Sequence, residues 1–464
     1  MYANLQIKTM MNSQAKIKKA ISISDIYQSF RYLPLQINEL DQLYVETDKV
    51  RGGVPVRKRI ARLLERNIDE NHQILMVGYK GCGKSTELNH LQKDLQNDFL
   101  VMNYSVMTEL DPIHLNYIEL FIVTLEQLFT LAQKYEINIS KEYIDNITHW
   151  MQTKEIQEIR EKYNIGIEGE AGAKGQVGIP YLQSFFYKFK MSAKSSRSLK
   201  ETLKTNIEPK LSDLIEHCNL LINEIRFSLP GINKKDLLII IEDLDKIPVD
   251  RADDLFFNYA NQITQLNTNI VFTFPITAYY HIRFNTIKPY FSQVMELPMI
   301  KIHNPDQSEF NPGIDLLIKI VERRMDLSLF ESIVLLRSLI EKSGGCIRDL
   351  FRLISEAAEQ AIDFGRDKIN TGDCKSSIAS LKRDYENTIA DNYHNGELIT
   401  ADTYYKALAS IAASSLKKLD NTIEQLDLRQ NLCLLGYNGE GWCDVHPIVK
   451  DILIEKKKWD GKQK

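Results

Sequence analysis

The sequence predicts a three-layer α/β fold that carries a helical insertion, a helical lid and a C-terminal winged helix. Three observations lead there. Two short apolar runs, 73–77 (QILMV) and 237–241 (LLIII), have the composition of strands buried on both faces of a parallel sheet. The first runs directly into a glycine-rich turn and then a helical pattern. Residues 396–464 end in a helix, a hairpin around Asn438-Gly439 and a further helix.

A chain of 464 residues is long for one domain, so two or three packed units are expected. Hydrophobic residues make up 44% and charged residues 26%, an ordinary globular composition. The formal charge of -4 comes from 58 basic and 62 acidic side chains, so no global basic excess points to nucleic acid. Lys16, Lys18, Lys19 and Lys456 to Lys458 make the two ends locally basic. The six cysteines, at 82, 218, 346, 374, 433 and 443, form neither a CxxC pair nor a zinc-type cluster. The N-terminus lacks the apolar core of a signal peptide. The most apolar stretch, 117–132, is interrupted by Glu119 and Glu126 and is too short to span a bilayer. A reducing cytoplasm and no membrane contact are the expectation.

Gly78-Tyr79-Lys80-Gly81-Cys82-Gly83-Lys84-Ser85-Thr86 fits G-x-x-x-x-G-K-[ST] at every fixed position. Gly78, Gly81 and Gly83 let the backbone curl so that successive N–H groups converge on phosphate, and the following helix adds its positive end. Lys84 can reach the β- and γ-phosphates, the Ser85 hydroxyl can ligate Mg²⁺, and Thr86 completes the cradle. From Glu87 on, Leu88, Leu91 and Leu95 share one helical face. The pattern makes this the P-loop of an NTPase core that holds ATP or ADP with Mg²⁺.

Leu100 to Val106 can form the next core strand. A largely helical insertion is then expected over about 110–232, with helical stretches near 113–135, 140–162 and 200–228. Within it Gly166, Gly169, Gly172, Gly175 and Gly178 recur every third residue, the collagen period. Five triplets with one proline cannot nucleate a triple helix, so a flexible loop or hairpin is expected. Phe185-Phe186-Tyr187-Lys188-Phe189-Lys190, followed by Lys194, Arg197 and Lys200, leaves three readings open. Aromatic residues between lysines suit base stacking, a partner surface, or a strand with lysines on its wet face.

Leu237 to Ile241 ends in Glu242-Asp243-Leu244-Asp245-Lys246. An ATPase needs one carboxylate for Mg²⁺ and another to polarise water. In the simplest register Glu242 faces the metal and Asp243 is the general base. A one-residue shift would put Asp243 on the metal instead.

This strand resembles the DDLDK-type Walker B element of AAA+ and STAND ATPases, with Glu242 where the usual first acid is Asp. The resemblance covers roughly residues 30 to 455 and implies roles downstream. Asn269 to Ile276 resembles the strand that carries a polar sensor near the γ-phosphate, with Thr273 as the candidate. Val294 through Ile302 would be the last core strand, and Arg283 lies where related enzymes often place an arginine finger, although a solvent-facing arginine is the more ordinary reading. Ser343-Gly344-Gly345-Cys346-Ile347-Arg348 resembles the GG-x-x-R-x-L lid segment of origin-recognition-type ATPases, which implies a sensor-2 role for Arg348. Tyr44 to Gly53 would close over the adenine. The helix near 426–431, the hairpin and His446 resemble the winged helix of STAND proteins, in which a histidine reaches the β-phosphate of ADP. A histidine that caps the final helix is the plainer alternative.

The resemblance implies four regions: an N-terminal extension (1–30), a P-loop ATPase core (31–302), a helical lid (303–395) and a winged-helix domain (396–464). It implies an ATP-binding and hydrolysing molecular switch, slow in turnover, that acts on separate effector or sensor chains and can form homo-oligomers. That pattern is similar to ATPase subunits of bacterial antiviral systems. A DNA-handling ATPase of origin-recognition or transposition type is the main competitor. It is not favoured, because 423–430 carries one arginine against two acids. A non-hydrolysing nucleotide-binding scaffold is a further alternative, which Glu242 keeps open.

Overall fold

The computed structural model describes residues 17–66, 70–165, 178–394, 396–415, 419–437 and 442–462. Four of the recurring glycines (Gly166, Gly169, Gly172 and Gly175), the Asn438 to Gly441 turn and Lys16 lie outside them. The chain divides into two compact units, one of 56–78 and 91–296, the other of the N-terminal residues to Pro55, 79–90 and 297 to the C-terminus.

The first unit is built on the sheet. Helix α1 (Val56–Arg66) precedes strand β1 (Gln73–Gly78); helix α2 (Lys84–Leu95) follows the P-loop, with residues 84–90 in the other unit and 91–95 in this one. Strand β2 (Phe99–Ser105) comes next. The insertion then supplies helices α3 (Tyr117–Lys134), α4 (Lys141–Met151), α5 (Lys154–Lys162), α6 (Ile179–Ser195), α7 (Arg197–Asn206) and α8 (Leu211–Ser228). Strands β3 (Asp236–Glu242), β4 (Asn269–Phe274) and β5 (Gln293–Leu297) complete a five-stranded sheet of order β2-β3-β4-β1-β5. The β2/β3, β3/β4 and β4/β1 pairs are parallel. β1, β3 and β4 are buried at every residue, as apolar strands covered on both faces must be.

Two expectations are corrected here. The 185–190 segment is not a strand with wet lysines, because it lies inside α6. Leu182, Phe185, Phe186, Phe189 and Ala193 share its buried face, a 3.6-residue period. Lys190 is buried with them and donates to Glu109 at 2.5 Å and Glu126 at 3.0 Å. Those aromatic rings are therefore closed to bases. The last core strand also stops earlier than Ile302, at Leu297. Past Glu296 the chain joins the other unit, where the Met299 N–H donates to Gly436 O and the Lys301 N–H to Val50 O.

The second unit is mainly helical: α9 (Asn311–Glu322), α10 (Ile333–Lys342), α11 (Ile347–Asp363) and α12 (Thr371–Thr388). A short hairpin of β6 (Asn392–His394) and β7 (Glu397–Ile399) follows. Helices α13 (Ala401–Ala413) and α14 (Ile423–Gln430) lead to a second hairpin, β8 (Leu434–Tyr437) with β9 (Trp442–Val445), and to α15 (Pro447–Glu455). Ile23, Ile26 and Phe30 share its core with Leu317, Leu336, Phe351 and Ile452, so the residues just before 31 are built into this unit. Phe30 meets Phe351 edge to face at 5.1 Å. No described helix is long and apolar enough to cross a membrane.

Candidate nucleotide-binding site

β1 ends at Gly78 and the chain turns at once. Gly81 has φ +80° and Gly83 φ +106°, backbone that L side chains rarely adopt, so glycine is required at both positions. These two turns carry the chain from the strand into α2. Lys84 is buried, and its Nζ donates to Tyr79 O at 3.0 Å across the loop. Ser85 is half-buried, and among the described residues its hydroxyl has no hydrogen-bond partner. A free hydroxyl at this position suits a Mg²⁺ ligand. Thr86 faces elsewhere, accepting the Leu35 N–H at 3.2 Å.

The turn ahead of α11 lies against the loop. A Cβ added at Gly81 would stand 2.8 Å from the Arg348 Cβ and 3.2 Å from the Cys346 Sγ. Arg348 sits in the first turn of α11, half-buried, and its guanidinium has no hydrogen-bond or ion-pair partner among the described residues. A half-buried cation held over a phosphate-type loop without a counter-charge is suited to bind an anion there.

Two contacts were not readable from sequence. Arg51 is buried, with Nη2 donating to Cys82 O at 2.6 Å, Nε to Thr47 Oγ1 at 2.9 Å and Nη1 to Pro298 O. It thus pins a P-loop carbonyl from the segment expected near the adenine. Tyr44 in the same segment donates to Glu87 Oε1 at 2.9 Å and packs edge-on against His90 at 4.4 Å. The second contact is Tyr79, whose ring is fully buried and whose hydroxyl accepts a hydrogen bond from Arg429 of α14.

His446 is fully buried at the start of α15, and its Nδ1 accepts the Ile448 N–H at 3.2 Å, so it caps that helix. Its ring stacks on Tyr385 at 4.6 Å. Nε2 stands 3.4 Å from Asp349 Oδ2, the carboxylate that also accepts from Tyr385 Oη at 2.7 Å. His446 therefore touches the residue next to Arg348.

In the sheet unit, β3 delivers its acids at the same edge at which β1 ends, since the strands are parallel and one strand, β4, lies between them. Ligands of open α/β sheets bind at this carboxyl edge. Glu242 is buried and accepts from Asn103 Nδ2 at 3.0 Å. Asp243 has φ +69°, a conformation few non-glycine residues adopt, and its carboxylate is held by Ser105 Oγ and by Lys246 Nζ. Thr273 on β4 is level with Met76 of β1. Its hydroxyl accepts the Leu244 N–H at 3.0 Å and lies 3.4 Å from Ile241 O, so it braces the acidic turn. Arg283 is exposed, stacked on Phe257 at 4.6 Å with Nη2 3.4 Å from Asn258 Oδ1.

No family model matches the sequence, and no curated protein matches it. Among solved structures, the ORC2 protein of Aeropyrum pernix in its ADP form aligns over 93% of this chain and 98% of that one, at 11% identity and a TM-score of 0.39. The Cdc6p of Pyrobaculum aerophilum aligns over 89% and 98%, at 12% identity and a TM-score of 0.35. The RuvB Holliday junction branch migration motor of Thermotoga maritima aligns over 90% and 98%, at 11% identity and a TM-score of 0.35.

Proposed function

We propose that the chain is an ATP-binding and slowly hydrolysing molecular switch of AAA+/STAND type that acts on partner protein chains. The observation that carries this reading is the unpaired Arg348 guanidinium laid against Gly81 of the P-loop. Lys84 leaves Tyr79 O for the β- and γ-phosphates, and Arg348 reads the phosphate end of the nucleotide, as a sensor in the lid does. Mg²⁺ supplies charge neutralisation at the phosphates. Ser85 is the residue of the loop that would hold it, and Glu242 is the acid that the resemblance to a Walker B strand offers for it. Asp243 is the base that orients water, and it must first exchange Ser105 and Lys246, which makes turnover slow. Thr273 keeps the acidic turn in register, Arg283 presents an exposed guanidinium to a neighbouring copy, and His446 acts on Arg348 through Asp349.

Several residues that a DNA-handling reading would use are not available at the surface. Arg429, the one basic residue of α14, is buried, as are Phe185, Phe186, Phe189 and Lys190. The test compares wild type with Lys84→Ala, measuring nucleotide released on denaturation and steady-state ATP turnover with and without duplex DNA. The switch reading requires retained ADP and slow, DNA-independent turnover, both abolished by the substitution. Brisk turnover that rises with DNA would put the DNA-handling ATPase in its place. Tight nucleotide retention with no turnover would leave a binding scaffold.

A further inference from the structure

We infer that Tyr79 is a positioning residue that ties the shape of the P-loop to the seating of the C-terminal hairpin, through Arg429. The inference rests on the P-loop being the nucleotide site. Phosphate binding by such a loop uses its backbone, so the residue after the first glycine has no required side chain. Here that residue is a tyrosine with no exposed surface. Its ring enters the C-terminal module and is held on three sides. Arg429 Nη1 donates to the Tyr79 hydroxyl, and Cys443 Sγ of β9 lies 3.6 Å from it. On β8, position 436 is a glycine because a Cβ there would come within 2.8 Å of the hydroxyl and 3.0 Å of the ring.

The backbone of the same residue faces the chemistry. Tyr79 O accepts the hydrogen bond from Lys84, the side chain that reaches phosphate on the P-loop reading. One residue therefore joins the loop's cationic switch to the hairpin. The hairpin has its own tether to the lid turn, where Tyr437 Oη donates to Gly344 O at 2.7 Å. Rearrangement at Tyr79 O is transmitted to Arg429 and β8–β9 through a fully buried ring. By linkage, an unseated hairpin must weaken nucleotide binding as much as bound nucleotide alters the hairpin.

The test uses the full chain and the variants Tyr79→Phe, Arg429→Met and the double variant. Equilibrium dissociation constants for ADP and ATP are measured together with hydrogen exchange of the β8–β9 amides, with and without nucleotide. Tyr143→Phe is the control, because it removes a buried hydroxyl of the insertion that donates to His217 O at 3.1 Å. In wild type, nucleotide should change the hairpin exchange rates. Tyr79→Phe and Arg429→Met should each weaken binding about five- to twentyfold and abolish most of that change, with the double variant no worse than either single one. The control should lower the melting temperature without moving either readout. Wild-type affinity and an intact hairpin response in Tyr79→Phe overturn the inference while leaving the ATP site standing. Wild type that binds no nucleotide overturns the ATP reading and this inference with it.

Discussion

Gly345→Ala tests the packing of the lid turn most sharply. Gly345 has φ +80°, and a Cβ built there would lie 1.9 Å from the Ile300 carbonyl oxygen and 3.0 Å from its carbon. Both atoms are backbone, so no rotamer change relieves the overlap. The left-handed conformation alone costs alanine about 1 kcal/mol. Displacing the Ile300 backbone adds at least ~2 kcal/mol, the scale of overpacking in a core. Gly365→Ala is the matched reference, since its φ is +64° and nothing lies within 4 Å of an added Cβ. It pays only the conformational term. At about 2–4 °C per kcal/mol for a unit of this size, Gly365→Ala should lower Tm by about 2–4 °C and Gly345→Ala by at least ~6–12 °C. Scanning calorimetry on the two purified variants measures the difference. Equal shifts would refute the claim that contact with Ile300, and not backbone strain alone, fixes this glycine.

Other outcomes follow from the same geometry. Lys190→Met leaves Glu126 and Glu109 without their shared cation in a buried site and should destabilise the insertion by about 3–5 kcal/mol in thermal melts, with part of the loss recovered by adding Glu126→Gln. Burial pushes the Glu119 carboxyl up to about 7, against the opposing charge of Lys200 at 3.4 Å. Its folded value lies above its unfolded one, so its contribution is full below about pH 4.5 and is lost as pH rises towards about 7. Glu119→Gln should flatten that part of the stability profile in urea titrations at stepped pH. Thr273→Val strips the acceptor from the Leu244 N–H and should cost about 1–3 kcal/mol; on the ATPase reading, turnover falls further than nucleotide affinity in a steady-state assay.

Much of the sheet was legible because each strand's evidence is local. The runs at 73–77, 237–241 and 269–276 are mostly apolar, and each holds a buried strand whose ends lie within a residue or two of the run's own. The P-loop was legible for the same reason, since its glycines, lysine and serine are fixed by spacing alone. Arg348 stands out in a short glycine-flanked pattern, and it lies against Gly81. Tyr79, Arg429 and Gly436 were invisible, because their meaning lies in a contact that spans 350 positions of chain. Arg51 does not stand out within its segment, as nothing in sequence distinguishes a buried arginine that binds carbonyls from a solvated one. The 185–190 segment was different, for its helical signal was present. Leu182, Phe185, Phe186 and Phe189 already spell the period of a buried helix face, but alternating aromatics and lysines within the hexapeptide drew the reading towards a two-residue repeat.

The burial of all six cysteines gives the molecule a set of internal clocks. A thiol reagent can modify each sulfur only when its surroundings part, so each labelling rate reports the opening of one neighbourhood. Cys82 times the P-loop, Cys346 the lid turn beside it, Cys433 and Cys443 the C-terminal hairpin, Cys374 the α12 helix and Cys218 the insertion. A nucleotide that orders the loop and the hairpin together slows three of these clocks and leaves that of Cys218 running at its own pace.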